Sequence, residues 1–256
     1  MFDTHAHYND GRFNNDRDEF LPDLKNKGIS LVLNCGADLK SSIASIELAK
    51  KYDFIYASVG VHPHDVKDLK DGDIEKLRVM AKESKVVAIG EIGLDYHYDY
   101  SPRDLQKFWF EKQIALADEL KLPIIIHSRE ACMDTLNIVK KHYNTNMRGI
   151  IHAFSESLDI AKEYVNMGFY LGIGGVITFK NAKKLVEVVE NIDIEHLVIE
   201  TDAPYLSPEP NRGKRNDSTN LVYVVKKIAE IKGMGEDEVV KVTTKNGMRV
   251  FGVDGM

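Results

Sequence analysis

MFDTHAH, residues 1–7, opens the chain. Met1 to Thr4 reads as a short strand that runs directly into His5-Ala6-His7. An open doubly wound sheet would usually carry a glycine-rich dinucleotide turn after its first strand. This chain has none there, and the spacing Gly172-Ile173-Gly174 lacks the following GxxG, so it is a weak dinucleotide signal. Two histidines two residues apart on an extended segment point to the same face, close enough to bind one ion.

Working outward from this start, short β-branched or apolar runs alternate with longer amphipathic segments. Strands are expected at Met1 to Thr4, Ser30 to Asn34, Phe54 to Val59, Val86 to Ile89, Pro123 to Ile126, Gly149 to Ile151, Phe169 to Ile173 and Leu197 to Ile199. Helices are expected at Leu39 to Tyr52, Ile74 to Glu83, Arg103 to Leu120, Ala131 to Tyr143, Leu158 to Met167, Ala182 to Val189, Leu221 to Ile231 and Glu236 to Arg249. A first helix near Asp18 to Lys27 is interrupted by Pro22. Eight strands alternating with helices predict a parallel sheet, and eight is the number that closes a (β/α)₈ TIM barrel.

The length of 256 residues fits one large α/β domain, expected over 1–256, and no linker or low-complexity tract divides it. Hydrophobic residues are 43% and charged residues 29%, an ordinary balance for a globular protein. No run reaches the ~18 apolar residues of a membrane span. Residues 1–10 are polar and already carry a motif, so no signal peptide is expected. Cys35 and Cys132 form neither a ligand spacing nor a disulfide framework, which points to a reducing cytoplasm and to small packing roles. The net charge of −6 argues against a broad DNA-coating surface but permits a local basic patch. With no exposed heptad pattern, a monomer without an obligate protein partner is expected.

Groups that do chemistry in such a barrel sit at the C-terminal ends of the strands. Of nine histidines, His5 and His7 follow strand one, His62 and His64 follow strand three, His97 lies after strand four, His127 ends strand five and His152 ends strand six. Only His142 and His196 fall elsewhere. Glu91 follows strand four, between Gly90 and Gly93, and Asp202 follows strand eight. A lone histidine at a strand end more often hydrogen-bonds in a polar loop, and a lone Glu91 could be a loop ion pair. Imidazoles and carboxylates gathered at one barrel mouth read instead as a metal site suited to zinc, manganese, nickel or iron. Flanking glycines leave room for close approach to Glu91.

Six motifs appear in order: Asp3-Thr4-His5-Ala6-His7, Val59-Gly60-Val61-His62-Pro63-His64, Ile89-Gly90-Glu91-Ile92-Gly93-Leu94-Asp95-Tyr96, His127-Ser128-Arg129, His152-Ala153-Phe154-Ser155 and Glu200-Thr201-Asp202-Ala203-Pro204-Tyr205-Leu206. Arg212-Gly213-Lys214-Arg215-Asn216 follows them. From Phe2 to about Gly252 the chain closely resembles the TatD family of metal-dependent deoxyribonucleases, within the amidohydrolase superfamily. The resemblance implies two divalent ions (zinc, magnesium or manganese). His5, His7 and Asp202 would hold the first, His127 and His152 the second, with Glu91 bridging the two where several relatives use a carbamylated lysine. The chain departs from the family pattern at Glu156 and at Asp217-Ser218, near the expected substrate loops.

On that reading the substrate is DNA, and the two ions supply an activated water and neutralise phosphoryl charge. Asp202 is the candidate general base, and Glu91 sets the spacing of the ions. Arg129, Arg212, Lys214 and Arg215 are candidates for flanking phosphates, although a short basic run is more often a solvated loop. His62 and His64, with Pro63 fixing the turn between them, are expected behind the ligands or on a phosphate. Tyr205 is expected to stack on a base or to pack under its loop. Related barrels also hydrolyse lactones, amides and phosphotriesters, so an ester or amide hydrolase such as a D-aminoacyl-tRNA deacylase is the alternative. A non-enzymatic scaffold would use a closed site of four ligands, whereas six candidate ligands for two ions leave positions open.

Overall fold

The structure is a computed structural model that describes residues 1–253, so the last three residues of the expected 1–256 domain lie outside it. Eight parallel strands run in the order β1 to β8: β1 Phe2–Ala6, β2 Leu31–Cys35, β3 Ile55–Val59, β4 Val86–Asp95, β5 Ile124–Arg129, β6 Gly149–Ile151, β7 Tyr170–Ile173 and β8 Leu197–Ile199. Nine α-helices appear among the described residues: α1 Arg17–Asp23, α2 Leu39–Lys51, α3 Asp73–Met80, α4 Arg103–Leu120, α5 Cys132–His142, α6 Leu158–Asn166, α7 Lys183–Asn191, α8 Leu221–Lys232 and α9 Glu236–Phe251. This is the expected (β/α)₈ barrel. Its last seam is closed by a short stretch rather than a full ladder. Ala6 bridges Ala203, His7 N–H donates to the Ala203 carbonyl at 2.7 Å, and Asp202 N–H donates to the His5 carbonyl at 2.9 Å.

Two apolar layers hold the sheet. Phe2, Leu33, Ile125, Ile150 and Val198 face a core that Val250 and Phe251 of α9 close from below. A larger layer packs between the strands and the surrounding helices. Gly247 lets α9 approach β1, because a Cβ there would stand 2.7 Å from the Phe2 ring. Asn246 Nδ2 donates to the carbonyls of Ile194 and Leu197, which ties α9 to the start of β8.

The expected elements are present, with differences at their ends. Pro22 lies inside α1, which stops at Asp23 and gives way to a 3₁₀ turn at Lys25–Lys27. The larger difference is β4, which continues through the glycine-rich segment expected as a loop and ends only at Asp95. Its register against β5 slips between Ile89 and Ile92, so one extra residue bulges beside Glu91. Gly93 then passes His127 at a φ of 140°, where a Cβ would meet the His127 carbonyl oxygen at 2.0 Å. Only glycine allows β4 to stay paired there, and this pairing carries Glu91 and Asp95 on a strand instead of a loop.

Candidate metal centre

Glu91 stands at the centre of the barrel mouth and is buried. Its Oε2 lies 3.3 Å from His5 Nε2 and 3.5 Å from His7 Nε2. Its Oε1 lies 2.8 Å from His127 Nδ1, 3.5 Å from His62 Nε2 and 3.9 Å from His152 Nε2. Asp202 approaches from β8, with Oδ1 at 3.4 Å from His7 Nε2 and 3.9 Å from His152 Nε2. The six expected ligands therefore converge from five different strand ends. Burial would raise the pKa of Glu91, but the surrounding imidazoles hold it well below the usual carboxylate range.

The outward partners of these rings indicate which nitrogen faces inward. The Cys35 carbonyl can only accept, and His7 Nδ1 lies 3.0 Å from it, so neutral His7 carries its proton on Nδ1 and directs the Nε2 lone pair to the centre. His5 Nε2 faces that same atom at 3.0 Å. Two imidazole nitrogens turned on each other beside two carboxylates fit a shared cation. His127 donates Nε2–H to Asp95 Oδ2 at 3.1 Å, which leaves Nδ1 facing Glu91. His62 differs: its Nδ1 accepts the His64 backbone N–H at 3.2 Å, so in the neutral ring Nε2 is the proton-bearing atom and faces Glu91 as a donor. Burial, then the neighbouring His127, keeps His62 well below the usual imidazole pKa.

The groupings differ in part from the expected ones. His5, His7 and Asp202 place donor atoms within 4.8 Å of one another, as the first set requires. The second such group is His62, Glu91 and His127, and a third is His5, His152 and Glu200. His152 stacks on His5 with ring centroids 3.5 Å apart, and its Nδ1 lies 2.9 Å from Glu200 Oε1. That contact is an ion pair without hydrogen-bond alignment, and it leaves His152 Nδ1 and Glu200 Oε2 among the buried polar atoms lacking a hydrogen-bond partner. Burial opposes charge on His152, but Glu200, Glu91 and Asp202 outweigh it and raise its pKa to about 10. A ring so strongly favoured as a cation marks a place where the fold supplies more negative charge than protein partners neutralise. The donor atoms thus fit divalent metal: His5, His7 and Asp202 form one group, His127 joins Glu91 and His62 in another, and His152 joins His5 and Glu200 in a third.

Three buried carboxylates carry parts that the sequence pattern did not single out. Glu200 holds His152 and accepts the Ala153 N–H at 2.6 Å. Asp95 Oδ2 accepts from both His127 and His64. Asp3 accepts from Thr201 N–H, Thr201 Oγ1 and Ser218 Oγ, which anchors the β8 loop to β1. Burial raises Asp3 to about 7 against those hydrogen bonds. The available signal was a carboxylate at the end of an apolar run, as in Leu197-Val198-Ile199-Glu200. Gly172 of the Gly-x-Gly segment faces this same group, since a Cβ there would lie 2.2 Å from Glu200 Oε2.

A cavity of about 990 Å³ opens above the cluster. His62, His64, Arg129, Tyr205, Arg212 and Lys214 line it. Arg215 does not, which corrects its placement with the phosphate contacts. Its guanidinium is paired with Asp16 at 2.6 Å and lies over the Phe13 ring at 4.5 Å. His97 is also outside the lining and pairs with Glu130 at 2.7 Å. Tyr205 stands at the edge of the mouth under Arg12, 4.3 Å from the ring centroid. Ser218, expected near a substrate loop, is fully buried against Asp3 and Tyr8.

A closed parallel barrel with this donor set at its C-terminal mouth defines a metal-dependent hydrolase. The family model described as TatD related DNase matches residues 2–252, and the chain belongs to that family. It is 44% identical over 254 residues to the uncharacterized metal-dependent hydrolase YabD of Bacillus subtilis, covering 99% of this chain and all of the relative. It is 32% identical to a protein of Cronobacter sakazakii named 3'-5' ssDNA/RNA exonuclease TatD, covering 98% of this chain and 97% of that one. The crystal structure of the TatD homologue YjjV of Escherichia coli superposes with a TM-score of 0.93 at 28% identity, covering 99% and 98% of the two chains. Among the described residues, no helix is long and apolar enough to cross a membrane.

Proposed function

We propose that this chain is a deoxyribonuclease that hydrolyses phosphodiester bonds of DNA with two divalent ions at the barrel mouth. The observation that carries this reading is the convergence of His5, His7, His127 and His152 on the buried carboxylate of Glu91, with Asp202 beside His7 and His152. Divalent ions, when bound, supply the charge that activates water and stabilises the phosphoryl oxygens. The chain's own groups do the rest. Asp202 sits at a φ of 56°, held by its N–H bond to His5 and by Tyr205 N–H on its carbonyl at 2.7 Å, so its carboxylate is fixed at the edge of the cavity as the proton acceptor. His62 turns its Nε2–H toward Glu91 and so helps to hold that carboxylate in place. Arg129, Arg212 and Lys214, which line the cavity, hold the flanking phosphates.

The test is digestion of single- and double-stranded DNA by purified protein across Mg²⁺, Mn²⁺ and Zn²⁺, with Asp202→Asn as control. Hydrolysis by the wild type that Asp202→Asn lacks is the expected result. A strong preference for neutral esters, or for an aminoacyl ester of tRNA, over phosphodiesters would overturn the nuclease reading.

A further inference from the structure

Tyr98 and Tyr100, on the loop after β4, are 45% and 57% exposed and stack on each other with centroids 5.1 Å apart and planes 17° apart. Exposed rings gain little from burial, so a pair of them at a cavity edge calls for a partner. The pair is held from beneath. Tyr98 N–H donates to Asp95 Oδ1 at 3.0 Å, and His64 meets both rings edge-on at 5.4 and 4.9 Å. The Arg129 guanidinium lies over the Tyr98 ring, 4.9 Å from its centroid. Tyr98 and Arg129 also line the cavity that contains Glu91. One continuous run of contacts therefore leads from Glu91 through His127, Asp95 and His64 to the two rings.

We propose that Tyr98 and Tyr100 form a nucleobase-stacking subsite for an unpaired nucleotide adjoining the phosphate held at the cluster. The inference rests on the nuclease reading, and names the form of nucleic acid the site takes. Aromatic rings accept the face of any base, and a neighbouring guanidinium adds attraction for both the base and its phosphate. A base in a duplex has both faces covered by its neighbours, so the platform selects single strands or frayed ends. The same cavity contains another cation over a ring, Arg212 above Phe179 at 4.4 Å, which suits a strand carrying negative charge past aromatic surfaces.

The test is equilibrium binding of the full chain to a short end-labelled single strand, read by fluorescence anisotropy in EDTA and in Mg²⁺, beside the same strand made abasic at one position at a time. The double variant Tyr98→Leu/Tyr100→Leu should bind the intact strand about tenfold more weakly, whereas Tyr98→Phe/Tyr100→Phe should bind within about twofold of wild type, since the rings remain. One abasic position should weaken the wild type by a similar factor and should have no further effect on the leucine variant. The first half of this comparison needs no assumption about folding of a variant, because the wild type alone must show the abasic penalty. Equal binding by wild type and leucine variant, equal losses on intact and abasic strands, or no single-strand binding by the wild type would overturn the subsite. Base-dependent binding without hydrolysis in any metal would leave the subsite standing and remove the nuclease reading.

Discussion

Replacing Asp95 with asparagine should damage the centre and the fold together. The buried Asp95 carboxylate accepts four hydrogen bonds: His64 and His127 on Oδ2, and the backbone N–H groups of His97 and Tyr98 on Oδ1, all at 3.0 to 3.1 Å. Burial would raise its pKa, but these donors pull it far below the usual range, so it is anionic throughout the working pH range. Asparagine has one acceptor oxygen, and its NH₂ group can only donate. One pair of donors, either the imidazoles or the backbone amides, must therefore face an NH₂ group. Two buried donors left without acceptors cost about 1–3 kcal/mol each, or roughly 2–6 kcal/mol. At about 2–4 °C per kcal/mol for a chain of this size, Tm should fall by at least about 4 °C. His127 would also lose the charge that orients its ring, and loss of such a partner typically lowers metal affinity about 10–100-fold. Differential scanning calorimetry of the chelated protein and Zn²⁺ titration against a competing chelator measure the two effects separately. A Tm within 1 °C of wild type together with unchanged Zn²⁺ affinity would refute the assigned role of Asp95.

Three further outcomes follow from the same geometry. Gly172→Ala should displace the Glu200 carboxylate, because the new methyl group would stand 2.2 Å from Oε2, and Zn²⁺ affinity should drop about 10–100-fold, as for loss of a group that orients a ligand; an unchanged titration would show that Glu200 does not position His152. Arg212→Ala should raise KM for an oligonucleotide more than for a small activated phosphodiester, whereas Arg215→Ala should chiefly lower Tm by breaking the tie to Asp16, and the opposite pattern would reverse their roles. Burial and the charge of Glu156 raise Cys132 from 9.0 to about 11, so below pH 9 its thiolate fraction is about a hundredfold under that of an unperturbed thiol, and iodoacetamide labelling should climb about tenfold per pH unit until near pH 11; rapid labelling at pH 8 would contradict this.

The barrel was legible because its evidence is local. Each strand is a short apolar run, each helix an amphipathic one, and alternation of the two leaves few arrangements that bury both. The metal-ligand candidates were legible for a related reason: His5, His7, His127, His152 and Asp202 interrupt apolar segments at strand ends, where the topology brings chain ends to one face. Glu91 was visible but misplaced, since a segment that carries Gly90 and Gly93 does not look like a strand until its neighbours' backbones are present to pair with it.

What could not be read along the chain were relations between residues far apart in it. The roles of Asp95 and Glu200 appear only when His127 and His152 are brought against them. Lys214 and Arg215 are adjacent and alike in charge, yet one faces the cavity and the other is held by Asp16, 199 residues away. Patterns of burial are written in short-range periodicity, because a strand or helix repeats every few residues. Partner choice for a charged side chain depends on the free energy of three-dimensional neighbours, and no local period encodes it.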